Sequence, residues 1–420
     1  MKTIYLFILS FCFIASINLN AQTWTAQTSP VTTALNGAWA IDENVVWMCG
    51  PSGVVIRTTN GGVTWAMVNA GLTGNDFYTL SAIDANTAEV GAGDGRMWRT
   101  TNGGFSWTLQ ILTPTPVFID VVHFFDSQNG FALSDPAPTA GLWLYYITTD
   151  AGANWTAGLN RPPNAAGEAG WNCGYAAVDT GHIWWGTNVS KIWKGSFKGP
   201  FTSASTSAAN SLSMGFNDAL TGLAGMTTTS PAPILKTTDG GISWASIGFT
   251  PLNSPFAMKY VPGTGFCWLG TQNIYRTANN GSSWNLQLTL TSTNNCYCLV
   301  MANINTGWAG TQTGQIYKYH DIVGIDPNNT AVPTSYMLQQ NYPNPFNPTT
   351  NIRYSIPVAS KVTITIYDAL GNEVKTLVNE YKSIGNYVES FDASNLSSGI
   401  YFYTLRAGEY VQTKKMALIK

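Results

Sequence analysis

A carboxylate or amide side chain recurs at the third position of the pattern Thr-x-[Asp/Asn]-x-Gly-x-x-Trp, which occurs five times in the chain. Oxygen atoms of this kind could ligate a cation or bind a polar ligand. In a hairpin turn, however, the same side chain accepts hydrogen bonds from the backbone N–H groups that follow it, and the tryptophan buries its ring. We therefore predict a structural role for Asn60, Trp65, Asn102, Trp107, Asp150, Trp155, Asp239, Trp244, Asn279 and Trp284.

The arginine and lysine residues that could hold an anionic ligand occupy one equivalent position of the repeat, which we call the column. They directly precede the pattern or take the matching position in a copy that lacks it, and repeated positions point the same way in each repeat. Side chains arranged in this way cannot converge on one ligand: they are Arg57, Arg99, Lys194, Lys236, Arg276 and Lys318. Arg161 lies outside the column, so we expect it to be available for binding.

Two segments interrupt the repeat, and loops that interrupt a repeated scaffold commonly carry its function. Residues 156–172 form an insertion, and residues 134–142 lengthen the repeat before it. Aromatic and acidic residues that lead into the innermost strands should ring one mouth of a channel and suit a sugar or a peptide. The candidate ligand-binding residues are Asp76, Phe77, Tyr78, Asp120, Arg161, Glu168 and Trp171, with Phe118 and Asn172 beside them. The alternative is that they are core aromatics and loop caps.

The elements that must position these residues are four short apolar stretches in each repeat. Residues 191–197 and 315–321 are two further copies that lack the Thr-to-Trp pattern, which brings the repeats to seven. Seven repeats of four antiparallel strands predict a seven-bladed β-propeller over residues 22–320. The last copy has no fourth strand, whereas residues 23–27 match the strand that follows the pattern elsewhere. We expect residues 23–27 to complete the last blade and close the ring.

Composition and the first residues predict an exported all-β protein. Hydrophobic residues make up 45% of the chain, and the formal net charge of −2 leaves no basic surface for nucleic acid. Residues 1–21 combine Lys2 with an apolar run from Ile4 to Ile17, the pattern of a signal peptide. That run is too short to predict a membrane span, and no later stretch supplies one. We therefore expect no transmembrane segment in the mature chain.

Five cysteines follow this leader, namely Cys49, Cys173, Cys267, Cys296 and Cys298. An odd number cannot form a closed disulfide framework, although one or two bridges remain open. Cys296 and Cys298 alternate as in a strand, so we expect both thiols on one face. The chain has no His or Cys pairs at metal-binding spacing and no nucleotide-binding fingerprint, so we predict buried thiols, no metal and no cofactor.

The Thr-to-Trp pattern resembles the Asp-box, or bacterial neuraminidase repeat. The resemblance implies structural turns on the rim of a propeller rather than an active site. Sialidases hold the substrate carboxylate with three arginines, and no such triad is present here, which argues against a classical sialidase. The first domain is also similar to photosystem II assembly-factor propellers, which implies a scaffold.

The end of the chain predicts a second domain. Residues 321–336 are polar and contain two prolines, as a linker does, and residues 337–420 alternate like the strands of a small immunoglobulin-like β-sandwich. The stretches NYPNPFNPTT, YDALGNEV and LSSGIYFYTL resemble the type A C-terminal sorting domain of the type IX secretion system of Bacteroidota. The resemblance implies that the type IX machinery is a partner and that the protein is either attached to the outer cell surface or released.

These features lead to three hypotheses about function. The first is a secreted or cell-surface, non-catalytic propeller that binds a glycan, a peptide or a protein. The second is an extracellular glycoside hydrolase or lyase that uses channel carboxylates, with Glu168 and Asp120 as the first candidates. The third is an assembly or adhesion scaffold without a small ligand.

Overall fold

Short antiparallel strands run through the chain, because apolar residues alternate with polar ones between glycine-rich turns. The computed structural model describes residues 24–111, 117–136, 141–207, 210–227, 232–251, 253–291, 294–320, 336–341 and 343–419. The expected signal peptide at 1–21 and the linker up to residue 335 lie outside the described residues. All the regular elements in the described ranges are strands, and no helix there could cross a membrane. The chain divides into two compact units, Met1–Ile322 and Val323–Lys420.

The described part of the first unit contains seven four-stranded sheets, which confirms the predicted seven-bladed propeller. From the innermost strand outward, blade 1 consists of Gly37–Ala40, Val46–Cys49, Val55–Thr58 and Ala66–Met67. Blade 2 consists of Phe77–Ala82, Ala88–Ala92, Arg96–Thr100 and Thr108–Ile111. Blade 3 consists of Ile119–Phe124, Gly130–Ser134, Leu144–Thr148 and Thr156–Ala157. Blade 4 consists of Tyr175–Asp179, His182–Gly186, Lys191–Gly195 and Phe201–Ser205. Blade 5 consists of Ser211–Phe216, Gly222–Met226, Ile234–Thr237 and Ala245–Ser246, and blade 6 of Ala257–Tyr260, Cys267–Gly270, Asn273–Thr277 and Asn285–Thr289.

Blade 7 takes its strands from both ends of this unit. Its three inner strands are Cys296–Asn303, Thr306–Thr311 and Ile316–His320, and its outer strand is Trp24–Gln27. Trp24 lies opposite Tyr319 in an antiparallel register, with the two ring centroids 5.3 Å apart. The indole of Trp24 is fully buried. Because the first strand of the unit pairs with its last, the ring has no open junction between blades 1 and 7.

The five turns that resemble Asp-boxes, which we call the Asp-box turns for that resemblance, connect the third and fourth strands of five blades and are held by their own side chains. In blade 1, Gly62 N donates to Thr58 Oγ1 at 2.8 Å, and Thr64 N donates to Asn60 Oδ1 at 2.9 Å. The same threonine contact recurs in the other four copies. Gly62 has a φ angle of 84°, which favours glycine at this position. These contacts use the side-chain oxygens of the turn to stabilise the turn itself.

Apolar side chains fill the clefts between neighbouring blades. Between blades 1 and 2, Trp47 packs against the Phe77 cluster, and Trp107 meets Trp47 edge-on at 6.4 Å. Trp107 Nε1 also donates to Val68 O at 2.9 Å. The tryptophan of this Asp-box therefore ties its blade to the preceding one.

The second unit is a β-sandwich of two antiparallel sheets. One sheet contains Met337–Leu338, Thr349–Ile356 and Gly385–Asp392, and the other contains Glu373–Lys382, Ser360–Tyr367, Gly399–Ala407 and Tyr410–Leu418. Alternate residues of the strands are buried, such as Ile352, Tyr354 and Ile356 on one sheet and Ile364 and Ile366 on the other. This core confirms the immunoglobulin-like sandwich predicted from the alternating pattern.

Candidate functional site

The end of the insertion between blades 3 and 4 crosses one mouth of the central channel. Asn172 Nδ2 donates to Asn36 O at 3.3 Å and to Tyr78 O at 3.0 Å, which joins the insertion to blades 1 and 2. The next residue, Cys173, donates from Sγ to Tyr297 O of blade 7 at 3.4 Å. Since these three blades lie across the channel from the insertion, residues 171–173 close this end of the channel. We call these three residues the floor.

Four partly exposed aromatic residues surround this floor and a fifth, Trp171, belongs to it; we call the five the aromatic mouth: Tyr78, Phe118, Trp171, Phe256 and Tyr297. The rings of Tyr78 and Phe118 lie 4.5 Å apart, and those of Phe256 and Tyr297 lie 5.2 Å apart. Trp171 is 39% exposed. Flat apolar rings around a polar floor can pack against the faces of sugars or of peptide side chains.

Local backbone irregularities position two of these rings. The innermost strand of blade 2 shifts register between Phe77 and Thr79, and the innermost strand of blade 7 does so between Cys296 and Cys298. Such a β-bulge redirects the extra residue away from the regular alternation of the strand. Tyr78 and Tyr297 are the extra residues, and this is how side chains of inner strands come to face the mouth.

Asp76 is the exposed carboxylate beside the aromatic mouth. Its Oδ1 accepts a hydrogen bond from Ser52 N at 2.8 Å, which orients the side chain. Burial, followed by the negative charge of Asp76, raises the pKa of Tyr78. The phenol of Tyr78 therefore keeps its proton and can donate to a ligand.

Asp120 lies at another bulge, between Ile119 and Val121, but its carboxyl group is hidden. The residue is 1% exposed, and neither carboxyl oxygen has a hydrogen-bond partner within the described residues. Burial, together with the charge of Asp135, raises the pKa of Asp120 well above its usual value. Asp135 Oδ1 accepts from Gly170 N at 2.8 Å, and burial raises the pKa of Asp135 as well.

Glu168 has a structural role in the insertion. It is 4% exposed, and its oxygens accept from Trp193 Nε1 at 2.8 Å and Ala165 N at 2.7 Å. Lys191 Nζ lies 3.2 Å from Oε2. These contacts fasten the insertion to blade 4. The carboxyl group that acts on Asp120 is that of Asp135, and Glu168, the other acid proposed from the sequence, is engaged elsewhere.

Two other candidate residues lie away from the mouth surface. Phe77 is fully buried and packs edge-on against Trp98 at 5.5 Å, so it belongs to the core between blades 1 and 2. Arg161 lies near Tyr146 in the third strand of blade 3, where its charge opposes the rise that burial causes in the pKa of Tyr146. Neither side chain contributes to the aromatic mouth.

The repeated bases tie blades together. Arg99 Nε donates to Ala151 O of the next blade at 3.0 Å, and Lys318 Nζ donates to Gly61 O at 2.8 Å. Arg57 Nη1 likewise donates to Ala85 O of blade 2. Because each of these bases serves a different junction, they do not form a triad around one ligand.

Side chains also fill the channel beneath the floor. Trp39 of blade 1 meets His123 of blade 3 at 5.2 Å, and Lys259 Nζ of blade 6 lies 5.8 Å from the Trp39 ring. Tyr175 Oη lies 3.5 Å from His123 Nδ1. Burial, followed by the charge of Lys259, lowers the pKa of His123 to about 3. The imidazole is therefore neutral at physiological pH and packs as an aromatic ring.

The five described cysteines are all unpaired thiols. The prediction that Cys296 and Cys298 share one face is wrong, because the bulge at Tyr297 separates them. Cys296 packs with Trp268 in the core toward blade 6, whereas Cys298 packs with Leu35 toward blade 1. Among the residues that the structure describes, no group of three or more His, Cys, Asp and Glu side chains could hold a metal ion.

Sequence reasoning missed Phe256, Tyr297 and Asp135. Phe256 directly precedes the innermost strand of blade 6, and Tyr297 is the second residue of that of blade 7, as Tyr78 is in blade 2. This shared position could have identified them. Asp135 lies in the segment 134–142 that lengthens blade 3. Residues 137–140 of that segment lie outside the described residues.

Residues 340–420 match the family described as the secretion system C-terminal sorting domain. The chain therefore carries a type IX sorting tail, which indicates an extracellular or cell-surface protein. A comparison with curated proteins found no match.

Solved structures similar to this chain are β-propellers. YCF48 bound to D1 peptide is 18% identical with a TM-score of 0.58, over 71% of this chain and 97% of that one. Virginiamycin B lyase from Staphylococcus aureus is 13% identical with a TM-score of 0.55, over 71% of this chain and 100% of that one. The GH74 xyloglucanase from Xanthomonas campestris is 13% identical with a TM-score of 0.53, over 79% of this chain and 59% of that one. At these identities the likeness shows the fold alone.

Proposed function

We propose that the protein is a secreted or cell-surface, non-catalytic propeller that binds a glycan or a peptide at its aromatic mouth. The observation that carries this proposal is the floor made by Asn172, which closes the channel and leaves partly exposed rings around a polar surface. Rings and fixed polar groups on a rigid scaffold are the ordinary components of such a binding site. The sorting domain supplies the route to the outside, with the type IX machinery as its partner.

The acids of the site support binding rather than catalysis. A general acid must reach the proton-accepting atom of its substrate, and the carboxyl oxygens of Asp120 are buried. Glu168 is buried and already engaged by Trp193 and Lys191. Asp76 is exposed, yet it is oriented by Ser52 as a single carboxylate beside the rings. The carboxylate of Asp76 suits the recognition of hydroxyl and amide groups.

The test is binding of the full mature chain to a glycan array and to a peptide library. Wild type is compared with the double variant that carries both Tyr78→Ala and Trp171→Ala. We expect a ligand that the double variant binds at least about tenfold more weakly, since aromatic anchors dominate such sites. Phe105→Ala is the matched control, because Phe105 is an aromatic residue of an Asp-box turn that is 80% exposed. A ligand bound equally by all three proteins, or no ligand in either format, would contradict the assignment to the mouth.

A glycoside hydrolase or lyase is the second candidate, and the acid pair of Asp120 and Asp135 favours it. Two carboxyl groups with raised pKa values could divide the roles of acid and base if the insertion opened. Product analysis with polysaccharides, for wild type and Asp120→Asn, separates the two candidates. Cleavage that disappears in Asp120→Asn would establish the enzyme, and binding without cleavage would leave the non-catalytic function.

A further inference from the structure

The inter-blade contact that the repeated base makes in blades 2 and 7 is replaced at the junction between blades 4 and 5. In blades 2 and 7 the base reaches the carbonyl of the residue that follows the Asp or Asn of the next Asp-box. Lys318 reaches Gly61 O and Arg99 reaches Ala151 O in this way. The equivalent carbonyl between blades 4 and 5 belongs to Gly240, and Trp184 Nε1 donates to it at 2.9 Å.

Lys194 therefore lacks the kind of acceptor that Arg99 and Lys318 use. Trp184 lies across from Lys194 in blade 4, and its indole is stacked on Phe216 of blade 5 at 3.6 Å. This stacking holds the indole where its Nε1 donates to Gly240 O. Among the residues that the structure describes, Lys194 has no hydrogen-bond or ion-pair partner.

Blade 4 also lacks an Asp-box, and a groove lies between it and blade 5. A short hairpin from Gly195 to Pro200 connects its outer strands in place of the longer box. The groove has a volume of about 400 Å³, which lies in the range of small-molecule sites. The lining residues that could contact a ligand are His182, Lys194, Pro200, Thr202, Leu220 and Asp239.

The polar atoms of the groove suit a ligand that both donates and accepts hydrogen bonds. Asp239 Oδ1 is used by the Asp-box, which includes the N–H groups of Ile242 and Ser243. Among the residues that the structure describes, Asp239 Oδ2 accepts from Ser243 Oγ alone, so it can accept a further bond. Lys194 Nζ can donate, and one lysine beside one carboxylate gives no strong preference for a charged ligand.

The walls of the groove suit a flat ligand with an apolar face. The imidazole of His182 stacks over Trp184 at 6.0 Å, and its Nδ1 lies 2.8 Å from Asp179 Oδ1, which fixes the ring. Leu220, which is 58% exposed, supplies an apolar wall. Sugar rings combine such a face with hydroxyl groups that donate to a carboxylate and accept from an ammonium group.

We propose that the groove between blades 4 and 5 binds a neutral mono- or disaccharide unit, with Lys194 and Asp239 holding its hydroxyl groups. This site is separate from the aromatic mouth, and the proposal does not depend on what the mouth binds.

The test is titration of the full mature chain by calorimetry and saturation-transfer NMR. The probes are the methyl glycosides of glucose, galactose, mannose and N-acetylglucosamine, with sodium sulfate and glucuronate as separate anionic probes. Lys194→Met should weaken the binding of a neutral glycoside by about tenfold or more, as expected for a hydrogen bond from a charged donor. Lys236→Met is the matched control, since Lys236 has the same repeat position in blade 5. It should leave the affinity within about twofold.

Trp184→Phe provides a second variant, because it frees Gly240 O while keeping an aromatic ring. We expect Lys194 to move to this acceptor and the glycoside affinity to fall, although the lysine is still present. The proposal is overturned if no neutral glycoside binds, if Lys194→Met binds like wild type, or if only sulfate and glucuronate bind. Thermal unfolding of each variant establishes that a loss of affinity reflects the groove rather than the fold.

Discussion

Replacing Trp24 with alanine tests whether the strand Trp24–Gln27 closes the ring of blades. Trp24 is fully buried, with its ring against Tyr319 and within the cluster that contains Trp268 of blade 6. Removing a buried tryptophan costs about 3–5 kcal/mol. Because Trp24 packs between two blades, we expect a loss of about 4 kcal/mol in the free energy of unfolding of the propeller.

Denaturation followed by tryptophan fluorescence isolates this effect. All 16 tryptophans precede residue 321, so the signal reports the propeller and not the sorting domain. Trp171→Ala is the matched control, since Trp171 is 39% exposed and its removal should cost less than about 1 kcal/mol. Equal midpoints for Trp24→Ala and wild type would show that the first strand is not needed to close the ring.

Three further perturbations test the site and its supports. Burial and the charge of Asp135 raise the pKa of Asp120 above its value in the unfolded chain. The stability that protonated Asp120 contributes is therefore complete below about pH 4 and is lost as pH rises through the pKa of the folded state. Asp120→Asn should flatten the pH dependence of Tm above about pH 4. Asn172→Ala removes two hydrogen bonds across the mouth and should cost about 1–3 kcal/mol, with faster amide hydrogen exchange in residues 171–174; unchanged exchange would refute the floor. Thr237→Val removes the acceptor of Gly241 N and should cost about 1–3 kcal/mol by denaturation, whereas Thr202→Val, at an exposed position, should change stability by less than about 0.5 kcal/mol; equal losses would argue against the turn contact.

The sequence predicts the blades because the repeat fixes local contacts that recur. Thr58, Asn60 and Gly62 are neighbours in the chain, so their hydrogen bonds follow from the turn they form. The buried face of each strand follows from simple alternation. The sandwich is predictable for the same reason, since Ile352, Tyr354 and Ile356 alternate along one strand.

The candidate site is less predictable because its contacts are distant or depend on single-residue shifts. Asn172 is 136 residues from Asn36 and 94 from Tyr78, and nothing local in the insertion indicates those partners. A bulge of one residue reversed the expected direction of one thiol of the Cys296 and Cys298 pair. The partner of Asp120 was missed for a similar reason, because spacing along the chain does not show which carboxyl groups meet in space.

Both proposed binding surfaces adjoin blade 4, and the geometry of a repeat explains why. Equivalent residues in a ring of blades point in equivalent directions, so a contact that recurs in several blades stabilises junctions and cannot define one asymmetric ligand site. Blade 4 departs from the repeat twice, through the insertion that ends at Asn172 and through the missing Asp-box that leaves Lys194 beside a groove. Residues in these two departures can change without removing any of the Asp-box contacts that hold the other blades. Ligand preference can therefore vary at blade 4 while the number of blades stays the same.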